Sequence, residues 1–229
     1  MRIIALLLVQ LAVSGCAAQK TLAAPQSDYA GGQPAQSASL FSGDAAILSD
    51  ADIEKILKFK YTPPKQTRVA VLALGQPIWL GYSDELARGG EEVRSSFVAA
   101  VRKSSAVTEA AYLPSLLIPT NRSVPYFREA AARYQADSLV IYQSPCRIYE
   151  KYRVFAANTS KSFCNVEAAL LDVRTGIVPF TTTVTHEFVA NQTPGDTNIW
   201  ETMRKAELSA MRDALNKVAE EIVAFLGGK

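Results

Sequence analysis

The sequence predicts an α/β protein: one compact domain whose mixed sheet, crossover strands followed by an antiparallel three-strand meander, is packed by helices and follows a disordered tether. Three observations lead there. Residues 68–74 form a nearly unbroken apolar run, the pattern of a strand covered on both faces. Helical and strand periodicities then alternate, as crossover connections require. Finally, two strand-like segments flank Arg174-Thr175-Gly176 and lead into a long amphipathic helix.

Taken in order, residues 50–58 read as a short helix capped by Ser49 or Asp50, with Ile53, Ile56 and Leu57 on one side. The apolar strand 68–74 belongs in the middle of the sheet. Residues 83–103 place Leu86, Val93, Phe97 and Val101 at helical spacing, and Gly89-Gly90 weakens the first turns. Residues 107–113 read as a strand and 123–135 as a helix with Pro125 in its first turn. A third strand follows at 138–142. Strands at 163–173 and 178–189 flank the turn, where Gly176 suits a positive φ. The last helix, 198–226, carries Met203, Ala210, Leu215, Val218 and Ile222 on its buried side.

The N-terminus is of a different kind. Arg2 precedes an apolar stretch, residues 3–13, broken only by Gln10 and far shorter than the roughly 20 residues of a spanning helix. Val13-Ser14-Gly15-Cys16 closes it and resembles the lipobox of bacterial lipoproteins. The resemblance implies a signal peptide over residues 1–15 and a lipidated N-terminus at Cys16, anchored in a membrane through its acyl chains. Ala17, where Asp would retain the protein at the inner membrane, implies the outer membrane, with the chain facing the periplasm. Residues 16–49 are rich in Ala, Gln, Ser, Gly and Pro and cannot bury enough surface to offset their ordering entropy. As a flexible coil this tether reaches roughly 30 Å, and about 110 Å when fully extended. The remaining residues, 50–229, suffice for one periplasmic α/β domain.

Chemistry-bearing patterns are sparse. The precursor carries a net charge of +2, a balance that gives no support to nucleic-acid binding. His186 is the only histidine and sits in an alternating strand pattern, so it reads as solvated. No nucleophile elbow, phosphate-cradling loop or metal-ligand spacing occurs, so we expect no catalytic residue, no metal and no cofactor. Glu91-Glu92 and Glu220-Glu221 are adjacent on helices and read as solvated faces.

Residues 68–74, the Ala-Ala-Arg-Tyr-Gln-Ala-Asp entry to the third strand (131–137) and the Asp-x-x-Thr-Gly hairpin at 172–176 together resemble the curli-secretion lipoprotein superfamily. That superfamily includes secretion-pore lipoproteins and lipoprotein activators of penicillin-binding proteins. The resemblance covers residues 68–226, and its motifs mark fold rather than chemistry: Asp137 ends a helix, Asp172 and Gly176 shape a turn. It implies a non-catalytic lipoprotein that binds and positions or activates another envelope protein, a peptidoglycan synthase by resemblance. The alternative is a structural component of a secretion or transport assembly, which would form homo-oligomers. Pore-forming members need membrane hairpins of alternating apolarity, and the one candidate segment, 146–164, lacks that alternation.

Cys146 and Cys164 fall near the ends of adjacent antiparallel segments. If the hairpin turns near residue 155, positions whose numbers total about 310 face each other, and these two cysteines do. A cross-strand disulfide follows; two buried thiols are the alternative, and a redox pair lacks Cys-x-x-Cys spacing. Two aromatic surfaces are candidate partner-binding sites. Ile78, Trp79, Leu80 and Tyr82 stand where a polar turn is expected, and Tyr149, Lys151, Tyr152 and Arg153 gather at the tip of the cysteine hairpin.

Overall fold

The computed structural model describes Leu40, residues 48–75 and residues 84–227. Cys16, the signal segment and the Ile78, Trp79, Leu80 and Tyr82 loop lie outside the described residues. The elements run α1 (Asp50–Lys58), β1 (Thr67–Leu74), α2 (Asp84–Val101), β2 (Val107–Tyr112), a 3-10 turn (Ser115–Leu117) and α3 (Val124–Arg133). They continue as β3 (Ser138–Gln143), β4 (Cys146–Lys151), β5 (Thr159–Asp172), β6 (Phe180–Asn191) and α4 (Ile199–Leu226). The α/β architecture with a mixed sheet packed by helices is the one the sequence predicts.

The sheet runs β2-β1-β3-β5, with β4 on the β3 side of β5 and β6 on its other edge. β1 is parallel to β2 and β3, whereas β5 is antiparallel to β3, β4 and β6. The step from β1 to β2 goes one way across the sheet and the step from β2 to β3 goes the other. Right-handed crossovers therefore put α2 and α3 on opposite faces. The two cores follow this division. Val69, Val71, Val140 and Tyr142 face α2 and α4 with Phe97, Val101, Leu215 and Ile222. Ala70, Leu72, Leu139 and Ile141 face α3 with Phe127 and Ala131.

β5 is the spine of the molecule. Its 14 residues alternate between buried and half-buried positions, and β3 and β4 share one unbroken register against it, from Ser138↔Asp172 to Lys151↔Thr159. Ser144-Pro145 interrupts the line because proline offers no N–H, yet the Pro145 carbonyl still accepts from the Asn165 N–H at 3.0 Å. β5 starts at Thr159, four residues before the position its sequence pattern suggests. The polar segment 159–162 is held by ladder bonds on both sides rather than by hydrophobic alternation.

Two features depart from what local pattern indicates. Gly89 is a point of close packing and not merely a weak point of α2: a Cβ there would lie 3.0 Å from Leu208 Cδ1 of α4. In α1, capped by the Ser49 hydroxyl accepting from the Asp52 N–H at 3.2 Å, no residue is buried. One residue of the tether, Leu40, packs against the second core, and its carbonyl accepts from the Val124 N–H at 3.0 Å. It thereby satisfies a helix N-terminus that the Ser123 side chain does not cap. No helix among the described residues is long and apolar enough to cross a membrane.

Candidate functional site

Beyond Gln143, the last β3 residue that β1 pairs, the sheet continues as a three-stranded arm made of β4, the first half of β5 and the second half of β6. A disulfide locks its root: Cys146 and Cys164 are directly opposed, with Cα atoms 4.1 Å apart and an S–S bond of 2.06 Å. Cys164 is fully buried against α4, its sulfur 3.5 Å from the Glu207 carbonyl.

The outer face of the arm carries a braced aromatic row. Tyr149 meets Phe163 edge-on at 5.8 Å between ring centroids, and the Lys161 ammonium sits 4.6 Å over the Phe163 ring. Lys161 also pairs with Glu187 of β6 at 2.8 Å. At the tip, Asn158 sets the loop: its Oδ1 accepts from the Arg153 N–H at 2.9 Å, and its Nδ2 donates to Gln192 at 2.8 Å. Tyr152 donates its hydroxyl to Glu150 at 3.0 Å. Partial burial, then the Glu150 carboxylate, raises the pKa of that phenol.

The loop is held at its base, and its apolar groups face solvent. Tyr149 is 56% exposed, Tyr152 64%, Val154 89% and Phe155 100%. The structure thus brings Tyr149, Lys151, Tyr152 and Arg153 together on one arm and adds two residues that sequence reasoning passed over. Val154 and Phe155 carry a legible signal, an apolar pair at the center of a turn where a polar pair is the norm.

Beneath the arm lies a layer of buried polar groups. Ser160 and Ser162 are fully buried, and the Arg204 and Glu207 side chains of α4 are 4% and 2% exposed and 2.5 Å apart. Burial raises the Glu207 carboxyl above its ordinary range, and the Arg204 guanidinium opposes that shift. The connection from β6 to α4 is tied by Lys205, whose ammonium reaches Asp196 at 2.8 Å, Glu201 at 3.0 Å and Glu85 at 3.2 Å. Burial would raise the Asp196 carboxyl, but hydrogen bonds from Lys205, Thr193 and Thr202 outweigh it and hold the pKa at about 2. A carboxyl held below its unfolded value of 3.8 stabilizes the fold above that pH and loses the contribution as pH falls toward 2. The denaturation midpoint of the native chain should therefore fall more steeply from pH 4 to pH 2 than that of Asp196→Asn; parallel curves would exclude this role.

Two tyrosines of the sheet are bound to each other. The Tyr112 and Tyr142 hydroxyls hydrogen-bond at 2.9 Å, with the Arg94 guanidinium 4.2 Å over the Tyr112 ring. A depression of about 270 Å³ at the base of the sheet is bordered by Tyr61, Asp137, Asp172 and Arg174. Both carboxylates there serve the fold: Asp137 accepts from the Arg68 N–H and from Arg174, and Asp172 accepts from Thr175. His186 is exposed on β6. Among the described residues no group of three His, Cys, Asp or Glu side chains is placed to hold a metal ion.

No family model matches the chain, and no curated protein matches it. Solved structures of similar shape include a protein from Caulobacter crescentus provisionally described as a lipoprotein, at 12% identity over 70% of this chain and 90% of that one, with a TM-score of 0.40. The PelC dodecamer from Paraburkholderia phytofirmans is similar at 13% identity over 68% and 89%, with a TM-score of 0.37. Lipoprotein GNA1162 from Neisseria meningitidis is similar at 12% identity over 67% and 98%, with a TM-score of 0.34. Likenesses of this strength assign neither a family nor a function.

Proposed function

We propose that the chain is a non-catalytic lipoprotein of the outer membrane, acylated at Cys16 and facing the periplasm, whose tethered domain binds another envelope protein and positions or activates it. The observation that carries this reading is the arm: a covalently fixed hairpin that presents Tyr152, Val154 and Phe155 to solvent. Solvent-facing aromatic and aliphatic groups on a rigid support are binding anchors, because they lose little entropy on contact and bury large area. Arg153 supplies an adjacent cation. The loop with Ile78, Trp79, Leu80 and Tyr82 is a second contact in this reading. A peptidoglycan synthase is the partner implied by the sequence resemblance.

A photo-crosslinking residue at position 155 of the full-length protein, irradiated in intact cells, tests the reading. Capture of an envelope protein is expected, and of a peptidoglycan synthase if the finer assignment holds. Tyr152→Ala should weaken that capture at least tenfold, in line with about 2 kcal/mol for an interfacial anchor. No capture at position 155 would overturn the arm as the binding site.

A further inference from the structure

The apolar groups of the arm and its cations cannot be covered separately. Residues 147–155 read Arg-Ile-Tyr-Glu-Lys-Tyr-Arg-Val-Phe, so a partner seated on Tyr149, Tyr152, Val154 and Phe155 also takes Arg147, Lys151 and Arg153 out of water. Arg147, Tyr149 and Lys151 are alternate residues of β4 and share one face, the tyrosine standing between the two cations. All three cations are exposed and enter no ion pair among the described residues. Lys161, the fourth base between the two cysteines, is already paired with Glu187 at 2.8 Å. Glu150 is the only acid between the cysteines; it accepts from the Tyr152 hydroxyl and, by strand alternation, belongs to the opposite face of β4.

Burying an uncompensated charge is costly, and a neutral counterpart would leave Arg147, Lys151 and Arg153 desolvated without partners. Carboxylates remove that cost, and arginine meets them through its two-pronged fork. The spacing is set by the strand: Arg147 and Lys151 lie about 13 Å apart along β4, on a ladder to β5 that the disulfide locks at its root. This row runs lengthwise along the side of the arm and not around its tip. It therefore suits a folded surface with carboxylates at set positions better than a fluid lipid layer met end-on by Phe155.

We propose that the partner of the arm is a protein that docks through an acidic face: an apolar seat for the aromatic groups, with carboxylates that meet Arg147 on one side of Tyr149 and Lys151 and Arg153 on the other. This rests on the arm being the binding site and specifies the chemistry of what it binds.

The test uses the full-length protein in intact cells with the photo-reactive residue at position 155. Arg147→Glu, Lys151→Glu and Arg153→Glu together should lower capture of the envelope protein roughly tenfold or more, because like charges then face each other. Arg147→Lys, Lys151→Arg and Arg153→Lys together keep every charge and should retain most of the capture. The crosslinked segment of the partner is expected to carry Asp or Glu, and changing those acids to Lys should restore capture by the charge-reversed arm, a recovery that a misfolded arm could not give. Capture indifferent to charge reversal, a crosslinked segment without acids, or no rescue by the reciprocal change would each overturn the acidic-face proposal while leaving the arm as a binding site. An adduct with lipid or with a second copy of this chain would overturn it too. Absence of any adduct overturns the binding reading itself, so the two failures are told apart.

Discussion

Arg204→Met destabilizes the domain by about 3–5 kcal/mol at neutral pH, because it strands the Glu207 carboxylate in the layer beneath the arm without its countercharge. The cost is that of an uncompensated buried charge, not the worth of the pair. Replacing both residues by apolar ones of similar volume should accordingly recover most of the loss. The sign of the pH dependence follows from the direction of the Glu207 shift. Burial raises its folded-state pKa, and removing Arg204 raises it further. A carboxyl raised in the folded state favors folding below its ordinary pKa and progressively less as pH climbs through the raised value. The deficit of Arg204→Met should therefore be largest at pH 7 and shrink toward pH 4. Denaturant titrations at both pH values decide the matter: a deficit below about 1 kcal/mol at pH 7, or one that grows on acidification, would show that Glu207 is not isolated by the change.

Removing the disulfide, by Cys146→Ser with Cys164→Ala, should cost about 3 kcal/mol by loop-closure entropy for the chain between the two cysteines. For a domain of this size that corresponds to a fall in Tm of ~6–12 °C. The effect should be concentrated in the arm, since among the described residues β4 is paired on one side only, to β5. Amide exchange at residues 146–151 should accelerate far more than at Val69–Leu72, which lie between β2 and β3. Uniform acceleration across the sheet would mean that the bridge supports global stability and not the arm. Capture through position 155 should fall together with arm protection, because the Asn158 bonds that set the tip presuppose a paired hairpin.

What the sequence made legible is what local pattern encodes. The apolar run of β1, the two-residue alternation of β5 and the turn at Gly176, whose φ is +80° with a Cβ position 3.1 Å from Arg128, all leave local marks. So does the cysteine pairing, because a hairpin ties register to arithmetic. Facing is another matter. Periodicity shows that α1 has an apolar side but not that the domain leaves it open, since that depends on elements far along the chain. An Arg and a Glu three residues apart read as a solvated helix pair; Arg204 and Glu207 are buried, on a turn of α4 whose Glu207 carbonyl lies 3.5 Å from the Cys164 sulfur at the root of the arm. Gly89 reads as a defect until Leu208, more than a hundred residues later, is seen against it. Of the candidate site, Tyr149, Tyr152 and Arg153 announce themselves as an aromatic and cationic cluster, whereas Asn158, which sets the tip, looks like any loop asparagine.

The common register of β3 and β4 along β5 has a mechanical consequence. β5 runs about 45 Å from the base turn to the tip, bonded on one side to β3 and β4 and on the other to the 12-residue β6. A pull on the tip along the strand loads these ladders in shear, so many hydrogen bonds must yield together. A pull that peels β4 sideways opens its rungs one at a time, and the covalent bridge at Cys146 arrests it before the tear reaches the parallel strands. The domain is thus stiff along one axis and protected by a stop along another, and force arriving at the tip is shared among the strands that pair with β5.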